Sequence, residues 1–175
     1  MLVSVVGCNL YKGGLSDPVY RAKKRTLMTQ VKVNFESDDG TEGVWATPAD
    51  DGFVIDNYPF YLHGVNFGDL VEAAPVSSGM YQYVRTITKS PHSLYRVLFE
   101  DAHAGRATEL LDNLVRLGCS HESGQMEGEV LVAVHIPGTV DADAAWSIFE
   151  TGLDEGTWHV EEGEDRHPRD DDDQE

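Results

Sequence analysis

From Val31 onward the apolar residues recur at every second position in short runs, and only past Glu100 does their spacing lengthen to that of a helix. That change of period restricts the fold more than any other feature, because alternation buries one face of a strand and helical spacing buries a stripe. Val31, Val33 and Phe35 alternate with Lys32, Asn34 and Glu36, which predicts a half-buried strand ending in the turn at 37–40. Thr41 to Thr47 reads as a second strand, Phe53 to Asp56 as a third, Phe60 to His63 as a short fourth, and Gly68 to Ala74 as a further alternating stretch. Strands this short, with turns this regular, predict a small barrel or a strongly bent sheet.

Met80 to Thr88 and Ser93 to Glu100 predict two more strands around a turn at 89–92. Ala107, Leu110, Leu111, Leu114, Val115 and Leu117 then fall at helical spacing, and Gly118 stands where a helix stops. Val130 to Ile136 is an apolar strand. Thr139 or Asp141 caps a second helix carrying Ala145, Trp146, Ile148, Phe149 and Leu153, and Thr157 to Val160 is a last strand. The expected fold is α+β. Its N-terminal half is a small bent β-sheet or barrel, followed by a ferredoxin-like antiparallel sheet with two helices. The expected division is a poorly ordered basic extension over 1–27, a small β subdomain over 28–79, an α+β subdomain over 80–160 and a disordered acidic tail over 161–175. The extension reads as a basic docking arm or as a stretch preceding a true start at Met28.

Charge narrows the partners. The 175 residues hold 31 acids and 13 bases, a formal net charge of −18. Residues 1–28 contribute +4 and residues 161–175 contribute −7, so the part between carries −15. Nucleic acid and anionic membrane surfaces are disfavoured, because such binding rests on Lys and Arg contacts to phosphate. A basic protein surface would be attracted. Two cysteines, Cys8 and Cys119, imply no disulfide framework, and no apolar run reaches the length of a membrane span. With no signal-peptide pattern, a cytoplasmic location is expected.

Four groups of residues invite a chemical reading. Ser90, His92, Ser93 and Arg96 would place an imidazole beside hydroxyls, with an arginine to clamp a carboxylate or phosphate. Alternatively the serines bond the local turn and Arg96 pairs with one of many acids. Asp56, Asn57, His63 and Asp69 match no closed metal motif, so turn chemistry is the simpler account, and no metal or cofactor is expected. Cys119 and His121 could pair as nucleophile and base, though a lone Cys after a helix reads more simply as a small buried residue. Tyr58, Tyr61, Tyr81, Tyr83 and Tyr95 are expected near the junction of the two halves, as contact residues for a partner or as an internal seam. The residues expected to bind are therefore Asp56, Asn57, Tyr58, Tyr61, Asp69, Tyr83 and Tyr95.

The runs Val31 to Phe35, Val44-Trp-Ala46, Ile55-Asp-Asn-Tyr-Pro-Phe60 and Gly68-Asp-Leu-Val71, with Ser90-Pro-His-Ser93 before Arg96-Val97, resemble a bacterial domain-of-unknown-function family numbered four-two-six-five. The resemblance covers about Lys32 to Val160 and departs at Pro91, where a glycine would be expected. It implies no assigned activity, and it sets residues 1–27 apart as an extension. The expectation for function is an acidic binding or inhibitory module, of immunity or antitoxin type, that engages a basic protein. Its rivals are an enzyme acting on a small anionic substrate through His92 and Arg96, and a structural subunit of a larger assembly.

Overall fold

Alternation carries directly into β1 (Val31–Ser37), where Val31, Val33 and Phe35 are buried while Lys32 and Asn34 stay half-exposed. The computed structural model describes residues 30–37, 40–126 and 128–167, and the expected basic extension lies outside the described residues. β1 pairs antiparallel with β2 (Gly40–Ala49), which is followed in the same sense by β3 (Gly52–Ile55), β4 (Leu70–Ser77) and β5 (Met80–Thr88). A parallel pairing of β1 with β5 closes these five strands into a barrel. Val33, Val44, Ala46, Ile55 and Val71 fill it and are fully buried.

The second half is a four-stranded sheet with two helices. β6 (Ser93–Glu100) leads through a 3-10 turn at Asp101–His103 into α1 (Ala104–Leu117). β7 (Ser120–Met126), β8 (Glu129–Ile136), α2 (Ala142–Asp154) and β9 (His159–Glu164) follow. The strands lie in the order β7-β8-β6-β9, all antiparallel. Gly118, in the left-handed region at φ 108°, ends α1 and lets its N–H reach the carbonyls of Leu114 and Val115. Of the two expected caps for α2, Asp141 takes the role, its side chain accepting from the Ala144 N–H at 3.1 Å. Leu110, Leu111 and Leu114 of α1 and Ala145 and Phe149 of α2 pack with Tyr95, Val97, Val132 and Val134 in a core separate from that of the barrel. Among the described residues no helix is long and apolar enough to cross a membrane.

Four expectations change. Met80–Thr88 pairs with β4 and β1 rather than with the second sheet, so the boundary between the halves falls after β5. β7 was not foreseen. Its sequence, SHESGQM, has no apolar alternation because it is an edge strand with one polar, solvent-facing row. Phe60 to His63 is not a strand: the N–H groups of Phe60, Tyr61 and Leu62 all donate to the Glu42 carboxylate, at 2.7, 2.9 and 3.0 Å, so they have no need of a sheet partner. The stretch from 161 to 167 is no free tail, since β9 runs to Glu164 and the partly buried Arg166 is paired with Asp69; Asp170 to Asp173 lie outside the described residues.

Gly152 in α2 faces the indole of Trp158, whose Nε1 donates to the Phe149 carbonyl at 3.1 Å. A Cβ at position 152 would stand 2.2 Å from the Trp158 ring. Gly152→Ala should therefore destabilise the protein by about 2 kcal/mol, although alanine is the better helix former. Urea unfolding monitored by tryptophan fluorescence would show it, and an unchanged midpoint would contradict this packing.

Candidate functional site

Between β3 and β4 the chain runs irregularly from Asp56 to Asp69 and lies against the face of the second sheet opposite the helices. Its backbone is tied down by side chains. Asn57 Oδ1 accepts from the Trp45 N–H at 2.7 Å, and Asn66 Nδ2 donates to the His92 carbonyl at 2.9 Å. The seam between this segment and the sheet gathers the densest polar chemistry among the described residues.

At its centre Asp69 is fully buried and accepts four hydrogen bonds. Oδ1 takes the Ser90 N–H at 2.7 Å and Arg166 Nη1 at 2.5 Å, while Oδ2 takes the Asn66 N–H and Arg166 Nη2, each at 2.9 Å. Arg166 also donates to the Ser90 carbonyl at 3.0 Å, to Ser90 Oγ at 3.2 Å and to Glu164 at 2.7 Å. Burial opposes its charge, but the hydrogen bonds it donates to Asp69 and Glu164, with their negative charges, outweigh that and raise its pKa. Beside it, Ser93 Oγ meets His167 Nδ1 at 2.6 Å and accepts from the Arg166 N–H at 2.7 Å.

A second group adjoins the first. Tyr58 stacks on His135 with ring centroids 5.1 Å apart, and Ser120 Oγ lies 2.7 Å from the Tyr58 hydroxyl and 3.1 Å from His135 Nδ1. Phe67 and His92 meet the His135 ring edge to face. His135 Nε2 is buried without a hydrogen-bond partner among the described residues. Burial, together with His92 and His167 nearby, pushes the His135 pKa down to about 3. Burial also lowers that of His92, with His167 and Arg166 adding to the effect. Tyr58 is raised, chiefly by burial.

Of the residues singled out from sequence, Ser90, His92, Ser93, Asp69 and Tyr58 meet at this seam. Arg96 does not join them. It points to the same sheet face further along β6, is 2% exposed, and donates to Glu161 at 2.8 Å and to the Leu62 carbonyl, with His63 beside it. The reading in which Arg96 simply pairs with an acid describes this arrangement. Asp56 instead accepts from Gln30 at 2.6 Å and from Thr47, and His63 lies 3.1 Å from Glu161, so the four residues weighed as a metal set do not converge. Among the described residues no group of three or more His, Cys, Asp or Glu is placed to hold a metal ion.

The tyrosines disperse. Tyr81 and Tyr83 pack on Phe53 and Phe35 of the barrel, Tyr95 lies in the helix-side core with Trp146 and Phe149, and Tyr61 is 51% exposed. Cys119 is buried in that same core, where desolvation pushes its thiol up to about 11, a poor nucleophile. The sequence reading missed Asn66, Phe67, Ser120, His135, Arg166 and His167. Two of these sat in the unforeseen β7 and the apolar β8, and two in a stretch read as tail.

His135 gives the seam a pH dependence. The unfolded chain takes up its proton as pH falls through about 6.5, whereas the folded chain resists until about 3. Stability is therefore lost as pH falls between those values, by about 1.4 kcal/mol per unit from this residue. His135→Asn should lose about 2 kcal/mol less than the parent between pH 7 and pH 5 in urea titrations. Parallel pH slopes would show that His135 is not held neutral.

No curated protein sequence matches the chain. A solved structure of a hypothetical protein from Neisseria gonorrhoeae is similar to it, with a TM-score of 0.58 and 14% identity over 78% of this chain and 94% of that one. At that identity the likeness is one of fold. The stretch 42–160, spanning the barrel from β2 onward and nearly all of the second sheet, matches the family described as Domain of unknown function (DUF4265), and the chain belongs to that family.

Proposed function

We propose that this protein is a non-enzymatic binding or inhibitory module, of immunity or antitoxin type, that engages a basic face of another protein. One observation carries the reading: the described residues hold 22 acids against seven bases, and five of those bases are already tied to the chain's own acids. Arg85 pairs with Glu72, Lys89 with Glu164, Arg96 with Glu161, Arg106 with Glu109 and Glu155, and Arg166 with Asp69 and Glu164. Lys32, a sixth, lies over the Trp45 ring at 5.1 Å. The outward field is thus negative on most faces, and such a field speeds and selects encounter with a basic partner. Exposed Trp45 and Tyr61 supply large contact groups on this surface. We also infer that the second half is a ferredoxin-like unit. Its β-α-β-β-α-β order and its β9-β6-β8-β7 neighbours support that assignment.

The enzyme reading through His92 and Arg96 draws less support. Arg96 is committed to Glu161 and the Leu62 carbonyl, and His92 Nδ1 accepts the Gly138 N–H at 3.2 Å. A structural subunit of a larger assembly would be recognised by the mass of its native complex.

The test is affinity purification of the protein from its own cells at low and at high salt, with mass spectrometry of what remains. A basic protein should stay bound at low salt and be lost when salt screens the surface charges. Retention of no basic protein at low salt would end this reading.

A further inference from the structure

We propose that Asp69, Ser90 and Glu164 form an arginine-binding site, filled in cis by Arg166, which an arginine of a basic partner occupies when residues 165–167 are displaced. The proposal rests on the acidic binding-module reading and names the side chain the partner presents.

The pocket fits a planar fork. Arg166 Nη1 and Nη2 bridge the two Asp69 oxygens at 2.5 and 2.9 Å, while the Ser90 carbonyl and hydroxyl and the Glu164 carboxylate accept the remaining Nη protons. A lysine ammonium, a compact point charge, cannot span both oxygens of Asp69 in this way. The fit in cis is also incomplete. Arg166 Nε is buried on a side chain only 9% exposed and has no acceptor among the described residues, so within them the cis arginine leaves one donor unsatisfied. An arginine arriving on a different backbone is free of that approach angle.

Displacement is local. Arg166 lies beyond the end of β9, and the contacts that hold its segment include Ser93 Oγ donating to Asp165 Oδ1 at 3.2 Å, the Arg166 N–H to Ser93 Oγ, His167 to Ser93 and the Pro137 carbonyl, and the Arg166 side chain itself. Releasing it breaks neither sheet and opens neither core. Asp69 and Ser90 lie within the stretch that matches the family, whereas Arg166 lies past its end. Two of the three receptor residues thus lie within the family stretch, while Glu164, like the occupant, lies beyond it.

The test titrates the full chain at low salt with a peptide of alternating arginine and glycine and with its lysine counterpart, while hydrogen exchange follows the Arg166 amide. The arginine peptide should bind about tenfold more tightly and strip protection from that amide, and Asp69→Asn should erase the preference. Arg166→Ser, lacking the cis competitor, should bind the arginine peptide about tenfold more tightly than the parent. Where that variant does not fold, exchange in the unaltered chain decides. Equal binding of the two peptides, or binding that leaves the Arg166 amide protected, overturns the pocket and leaves the general acidic attraction standing. Binding of neither peptide at low salt overturns both.

Discussion

The buried carboxylate of Asp69 is the constraint on which the joining of the two halves depends. An ion removed from water costs several kcal/mol unless nearly every lone pair is met by a donor. Asp69 meets that demand with four hydrogen bonds drawn from three places: its own loop, the turn before β6 and the segment after β9. Each place must therefore lie where the carboxylate can reach it. A purely apolar contact would tolerate sliding between barrel and sheet, whereas a bidentate arginine on a fully buried carboxylate does not.

The same device recurs along the seam. Glu42, on a barrel strand, holds three successive N–H groups of the 56–69 segment, and Arg96 crosses from the sheet to the Leu62 carbonyl of that segment. These contacts let fourteen residues without regular structure cover a sheet face, because the backbone groups that a strand would pair are met by side chains instead. Their outcome at the surface is electrostatic. With most bases among the described residues turned to internal partners, the acids that remain there face water and set the sign of the field.

Much of the fold was legible in sequence because it rests on periodicity. Val31, Val33 and Phe35 announced β1, the leucines at 110, 111 and 114 announced α1, and Gly118 marked its end. β7 was not legible, because Ser120, Glu122 and Gly124 meet Tyr58 and Phe60 of the loop rather than an apolar core. The site was half legible. Ser90, His92 and Asp69 drew notice as polar residues in turns, but nothing in the local pattern tied them to Arg166 or His135, which lie 76 and 43 positions beyond Ser90 and His92.

By itself the sequence determined most of the strand and helix content and the turn glycines, since these are set by residues within a few positions of one another, and the strongly acidic balance, which is a sum over composition. Tertiary structure alone decided that β5 closes the barrel, that Arg96 and His92 serve different neighbours, and that Arg166 returns from beyond the last strand to neutralise Asp69. The reason is physical: a buried charge selects its partner by distance and geometry after the chain has folded, and sequence separation leaves no trace of that choice.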